Sequence, residues 1–183
     1  MSQRSARREK TLDVLPVSES TLTVVGSLRD TSVALDDPAD VEVIHDLRLE
    51  TTISVPDLEI LDVTGRSLRQ PYGVCASTIP PLSELEGLSL KRGYRRQVLD
   101  IMGGTRGCTH FLTLALDLSA THILSLYLRM RDRLPSTGDT RADGTWAAAG
   151  LRLEPNLMNA CLALAEDSPV QRQALARIAE QEG

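Results

Sequence analysis

The first third of the chain alternates hydrophobic and polar residues in the way that is typical of half-buried β-strands. Residues 21–29 are rich in β-branched side chains, and a polar turn at Asp36-Asp37-Pro38 follows them. Residues 41–55 alternate more regularly, with apolar residues on one face and mostly charged residues on the other. A third strand is predicted over residues 58–64. Together these segments predict an antiparallel meander with one face in solvent.

After residue 75 the apolar residues recur every three or four positions, which is typical of amphipathic helices. Helices are predicted over residues 88–102, 109–131 and 170–181. The stretch 109–131 is apolar on nearly all sides, so we expect it in the core or at an interface, as in a homodimer. The predicted fold class is α+β, with a β-meander of three or more strands packed against a long helix and shorter helices.

Composition divides the chain into four predicted segments. Residues 1–19 begin with a cluster of basic side chains and are predicted to be a disordered basic tail. Residues 20–134 form the predicted α+β domain, which carries the candidate metal site. Residues 135–150 are rich in Gly, Ser, Thr and Asp, which is typical of a linker. Residues 151–183 are predicted to be a helical segment that packs on the same domain.

Charge and hydropathy narrow the class of protein. A chain of 183 residues that is 42% hydrophobic can bury one sizeable core, and its net charge of −5 gives no general attraction to nucleic acid or anionic membranes. No secretion signal and no apolar run near the roughly 20 residues of a membrane span are seen. We therefore expect a cytoplasmic protein without nucleic-acid or membrane partners. Its three cysteines do not make a disulfide framework.

Candidate chemistry is concentrated where a glycine-rich turn, residues 103–107, leads into the apolar helix. Cys108 and His110 lie at this helix entrance, where the N–H groups and the helix dipole favour a thiolate. His45 completes the apolar face of the second strand, and its ring nitrogens require either hydrogen bonds or a metal with an outer acceptor. Cys75 follows a turn and alone would be a packed thiol.

If the three places converge, His45, Cys75, Cys108 and His110 make a borderline-soft tetrahedral ligand set. This set suits zinc best, with iron as the alternative. His110 is also a candidate proton carrier, as ligand or catalytic residue. Cys161 lies on an apolar stripe, which favours a buried core cysteine over a further ligand.

Two further residues are candidate catalytic groups near this set. Asp46 is predicted on the opposite strand face and reaches the site as ligand or base only if a bulge turns it inwards. Arg106 either binds a substrate carboxylate or phosphate or is simply solvated at the helix entrance.

These residues resemble a widespread microbial domain-of-unknown-function family whose hallmarks are HD, C, L-x-G and GCTH motifs. The matching positions are His45-Asp46, Cys75, Leu85-x-Gly87 and Gly107-Cys108-Thr109-His110. The resemblance covers about residues 20–131, with a looser match at residues 159–161.

A fainter resemblance is to the iron-sulfur cluster scaffold proteins, and it implies a similar fold. In it, His45-Asp46 takes the place of the first Cys and its Asp, Cys75 that of the second Cys, and Cys108 with His110 that of the last pair. The first cysteine of that pattern is lost. A cluster-assembly role therefore lacks one of its thiolates.

Functions from different classes fit these observations. The first is a metal-dependent enzyme, a lyase, hydrolase or isomerase, that acts on a small carbonyl-containing molecule while the metal polarises an oxygen in an open position. The second is a non-catalytic metal or cluster carrier. The third is a binding domain with a structural zinc.

Overall fold

The computed structural model describes residues 3–55, 57–91, 93–131 and 133–182. The chain forms two compact units, Met1–His122 and Ile123–Gly183. The first is an antiparallel sheet covered by helices, which confirms the predicted α+β class. The boundary near residue 122 replaces the expected division at residues 134 and 150.

The sheet of the first unit has four antiparallel strands in sequential order. They are β1 (Arg4–Pro16), β2 (Thr21–Ala34), β3 (Val41–Ser54) and β4 (Ile60–Arg69). On β2 and β3 the core face carries apolar residues at alternate positions, and all of these are nearly inaccessible to solvent: Leu22, Val24, Leu28, Leu47, Leu49 and Ile53. The opposite face of β3 is mainly charged and that of β2 is mostly Thr, Ser and Val, so the apolar core lies on one side of the sheet, as the alternation predicts.

Residues 4–16 form a strand, and the prediction of a disordered tail is wrong for the part of residues 1–19 that the structure describes. Thirteen cross-strand partners join β1 to β2. Leu12 and Val14 pack against the core, while basic residues of β1 pair with carboxylates. The basic composition of this segment indicated disorder because it contains few apolar residues that could pack against a core. Backbone pairing and ion pairs hold the strand instead, and charged residues are typical of an edge strand.

The helices of the first unit cover the dry face of the sheet. Two 3-10 helices (Gly73–Thr78 and Pro80–Leu85) lead to α1 (Tyr94–Met102), and α2 (Thr109–Asp117) follows. α2 packs on β2 and β3, which confirms the predicted contact between the meander and the helix that begins at Thr109. Tyr94 of α1 is buried, and its hydroxyl donates a hydrogen bond to the carbonyl of Ala115 on α2. This bond links the two helices. Burial raises the pKa of this hydroxyl.

The helical stretch Thr109–Arg131 is interrupted by a 3-10 turn at Leu118–Ala120, after which α3 (Thr121–Arg131) continues. Its 23 residues, with a mean hydropathy of 1.5 in the most apolar window, are long and apolar enough to cross a membrane by length and composition alone. This corrects the expectation that no such stretch exists. One such helix does not establish a span, because core helices pass the same test of length and composition; 39% of the window is buried within the protein.

The second unit is helical. Besides α3 it contains α4 (Gly138–Ala142), α5 (Thr145–Leu153) and α6 (Pro169–Glu182). The prediction of a linker over residues 135–150 is wrong, because Thr137 caps α4 with a capping box and Ala148 and Leu151 of α5 are buried. Ser168 accepts a hydrogen bond from the Gln171 N–H, as expected of an N-cap. Cys161 is exposed rather than buried.

We predict that Gly65→Ala destabilises the protein by about 1–3 kcal/mol, the usual cost of overpacking a core. A Cβ at Gly65 would lie 2.2 Å from Leu82 Cδ1 and 3.3 Å from Phe111 Cε1, and both side chains are buried. Gly73→Ala is the matched control, since nothing lies within 4 Å of its Cβ position. Urea unfolding of both variants measures the difference. Equal unfolding free energies would contradict the close packing at Gly65.

Candidate metal centre

Asp30 lies on the core face of β2, at the end of the apolar row that includes Leu28. Its side chain is only 12% exposed. A buried carboxylate is costly unless hydrogen bonds or charges compensate it. The cross-strand neighbours of Asp30 provide this compensation, because Arg8 on β1 and His45 on β3 stand directly opposite it.

Arg8 binds the carboxylate of Asp30 with two parallel hydrogen bonds. Nε donates to Oδ1 at 2.6 Å and a terminal guanidinium nitrogen donates to Oδ2 at 2.7 Å. This bidentate geometry is the strongest form of the ion pair. The hydrogen bonds from Arg8 hold the pKa of Asp30 below its usual range, although desolvation opposes them.

His45 approaches Asp30 from the other side. Its Nδ1 lies 2.9 Å from Asp30 Oδ2. A β-bulge lies next to it, because Asp30 pairs with His45 while Thr31 pairs with Val43, which leaves Ile44 without a partner. His45 lies on the core face by regular alternation with Leu47, and beyond the bulge the pairing continues to Val33 and Val41.

His110 comes from the first turn of α2, above the same end of the sheet. Its Nε2 lies 3.7 Å from Asp30 Oδ2, and its ring centre lies 3.9 Å from that of His45. On its other side, Nδ1 contacts Cys108 Sγ at 3.5 Å. Cys108 is the N-cap residue of α2, and its side chain makes no capping hydrogen bond. The two ring nitrogens of His110 therefore face different partners.

Asp30, His45 and His110 form a group that can hold a metal ion, since one ligand atom from each lies within 4.8 Å of the others. The distances from Asp30 Oδ2 to the two imidazole nitrogens are 2.9 and 3.7 Å, just below and just above the separation of neighbouring ligands on one metal. Ligands bound to one metal at about 2.0–2.2 Å lie roughly 3–3.5 Å apart on neighbouring positions. Two imidazoles and one carboxylate are a donor set used by zinc and by non-haem iron.

Of the predicted ligands, the structure brings together His45 and His110, and Cys108 contacts the latter. Cys75 lies partly buried in the 3-10 helix Gly73–Thr78 and is not a member of the three-residue group. Its role as a ligand, like that of Cys108, stays a prediction.

The two predicted catalytic residues outside that group lie elsewhere. Asp46 is on the opposite face of β3, where its nearest cationic partner is Arg29 at 3.9 Å. Arg106 donates to the carbonyl of Leu99 at the end of α1. Their catalytic roles stay predictions.

Sequence reasoning missed Asp30 and Arg8. A signal for Asp30 existed, because it continues the alternation of Leu22, Val24, Gly26 and Leu28 by one further position. A polar residue at the end of an apolar row is a candidate for a partnered buried group. For Arg8 the signal was weaker, since only Leu12 and Val14 on the same face indicate that the basic segment is a strand.

We predict that Arg8→Gln lowers the free energy of unfolding by about 1–2 kcal/mol, because Asp30 is left without its charged partner. Arg7→Gln is the matched control. Arg7 is the neighbouring residue of β1, is 70% exposed and pairs only with Glu9 among the residues described, so its loss should cost under about 0.5 kcal/mol. Chemical unfolding at neutral pH compares the two. Equal effects would show that the ion pair with Asp30 does not stabilise the unit.

The stability of the metal-free protein should depend on pH through His110. Desolvation, aided by His45 and Arg8 and opposed by Asp30, lowers the pKa of His110 from 6.5. The unfolded chain then binds a proton more readily than the folded one. The stabilising contribution is therefore complete above about pH 6.5 and is lost as the pH falls through the folded pKa of His110. The contribution of Asp30 is lost only at lower pH, below 3.8.

Urea unfolding in the presence of a chelator, at steps from about pH 7 to about pH 5, measures this dependence. His110→Gln should give a flatter profile than the parent. An unchanged profile would assign the pH dependence to other groups.

One comparison with known proteins matches the chain, and the matched residues lie almost entirely in the first unit. The sequence model of the family described as "Protein of unknown function (DUF2889)" matches residues 6–124, which include the three residues of the candidate metal centre together with Arg8 and Cys108. The comparison with curated proteins and the comparison with solved structures found no match. Because the match covers well over half of the 183 residues, the chain belongs to the DUF2889 family.

Proposed function

We propose that this protein is a metal-dependent enzyme that binds one zinc or ferrous ion through Asp30, His45 and His110. The observation that carries the proposal is the convergence of these three side chains from two strands and a helix on one point. Three protein ligands leave coordination positions open, which is typical of catalytic rather than structural zinc sites. The group contains no thiolate, whereas a cluster carrier depends on thiolates.

The substrate class that we propose is a small molecule with a carbonyl group. A metal bound at this site would supply a Lewis acid that polarises such an oxygen. The resulting chemistry is of the lyase, hydrolase or isomerase type, in which no electrons are exchanged with a separate redox partner.

The surrounding residues have supporting roles in this proposal. Arg8 holds both oxygens of Asp30 and so fixes the orientation of the carboxylate towards the two histidines. Cys108 contacts Nδ1 of His110, and an acceptor there keeps the proton on Nδ1 and leaves Nε2 free to coordinate. Cys108 is then an outer partner of the site rather than a ligand.

The contact between Cys108 and His110 favours a second function, that of a metal-independent enzyme with a cysteine nucleophile. Cys108 Sγ lies 3.5 Å from Nδ1 of His110, and Asp30 Oδ2 lies 3.7 Å from Nε2 of the same ring. A thiol, an imidazole and a carboxylate in this order are the arrangement by which cysteine nucleophiles are activated.

Metal content separates the two functions. We expect the protein purified without chelator to carry one zinc or iron per chain, as measured by elemental analysis. Asp30→Asn, His45→Ala and His110→Ala should each weaken metal binding by about 100-fold or more, since even outer-partner substitutions cost 10–100-fold. Because metal binds only the folded chain, metal at about 100 times its dissociation constant should stabilise the parent by about 2.7 kcal/mol.

Asp46→Asn is the matched control, because Asp46 adjoins His45 but lies on the other face of β3. Cys75→Ser, which changes a residue outside the group, should also keep the metal. Parent protein without stoichiometric metal, together with rapid alkylation of Cys108 that is lost in His110→Ala, would overturn the metal proposal in favour of the cysteine nucleophile.

A further inference from the structure

The second unit contains a cavity of about 420 Å³ that is open to solvent on one side, a size that is typical of small-molecule sites. Its walls come from α3, α5 and the segment that precedes α6, and they are mainly apolar: Tyr127, Met130, Trp146, Leu151, Leu157 and Leu164. The rings of Tyr127 and Trp146 lie 5.6 Å apart at a tilt of 33°. The binding of an apolar molecule that displaces water from such walls is favourable.

Arg141 is the one charged residue among those that line the cavity. It lies on α4, which the capping box of Thr137 and Thr140 fixes in place. Two acidic residues lie two positions away: Asp143 binds Arg177 at 3.1 Å, and Asp139 in the first turn of α4 lies at a helical spacing of two, where side chains do not face each other. Across residues 3–55, 57–91, 93–131 and 133–182, no carboxylate forms an ion pair with Arg141. Its guanidinium, with five fixed donors, is therefore available to an anionic group at the cavity.

We propose that this cavity binds an organic acid, a molecule with an apolar aliphatic or aromatic body and one carboxylate. The apolar walls take the body, and Arg141 pairs with the carboxylate. Charge complementarity identifies the head group, because a neutral ligand of the same shape leaves the guanidinium unused. The site is separate from the candidate metal centre, since every residue that lines it belongs to the second unit.

Decanoate is a suitable probe, and Trp146 is a suitable reporter because it is the single tryptophan of the chain and lines the cavity. We expect decanoate to change the tryptophan fluorescence of the full-length protein saturably, at one molecule per chain. Decanol, which has the body without the charge, should bind about three- to tenfold more weakly, the range of a partly exposed charge-assisted hydrogen bond. Acetate, which has the charge without the body, should not bind.

Two variants locate the binding. Arg141→Gln should weaken the binding of decanoate by about three- to tenfold and leave the affinity for decanol unchanged, because it removes only the charge. Ala147→Leu extends a cavity-lining side chain on α5 with a good helix former and should abolish binding of both. Circular dichroism and thermal unfolding that match the parent show that each variant is folded.

Several outcomes would overturn the proposal. Equal affinity for decanoate and decanol in the parent would show that Arg141 selects no anion. Unchanged binding by Ala147→Leu would place the decanoate elsewhere. Tryptophan emission that varies with protein concentration in the absence of decanoate would show that a second copy of the chain covers the cavity.

Discussion

The ion pair between Arg8 and Asp30 is the interaction on which the organisation of the first unit depends. Asp30 lies on β2, one of the two inner strands, and on the dry face of the sheet, where an unpartnered carboxylate would be strongly destabilising. Its partners come from β1, β3 and α2, so that one side chain brings three elements together. The N-terminal strand has little apolar surface of its own, and this pair acts together with the backbone pairing to β2 and with Leu12 and Val14 to hold it to the core.

The sequence allowed the sheet and the main helices to be predicted because each depends on a short repeating pattern. Leu47, Leu49 and Ile53 alternate with charged residues, and this alternation follows directly from the geometry of a sheet with one dry face. His45 was placed on the buried face for the same reason. The helix that begins at Thr109 could also be predicted, although its 3-10 turn at Leu118–Ala120 could not.

The rest of the site depends on pairing between distant parts of the chain, which periodicity does not reveal. Arg8 and Asp30 can be recognised as partners only once the register of β1 on β2 is known. The basic composition of residues 1–19 indicated disorder, because composition does not show which carboxylates the basic side chains pair with. Cys75 was included in the predicted ligand set because of its residue type and its place after a turn, and neither of these shows which residues it approaches. In the same way, residues 135–150 have the composition of a linker, yet their alanines allow α5 to pack closely.

The candidate metal centre is also assembled over a long stretch of chain, and this has a consequence for the order of folding. The β1–β2 pair needs only neighbouring residues, whereas contacts such as Lys10 with Asp117 close a separation of 107 residues. Contacts between distant residues carry a larger loop-closure cost, so we expect Asp30 to pair with Arg8 before His110 reaches the sheet. Arg8 would thus supply the counter-charge of Asp30 before the helices cover this carboxylate. If the site binds a metal as proposed above, the ion would be the last component to join it, because the ligand group is complete only after His110 has packed against the sheet.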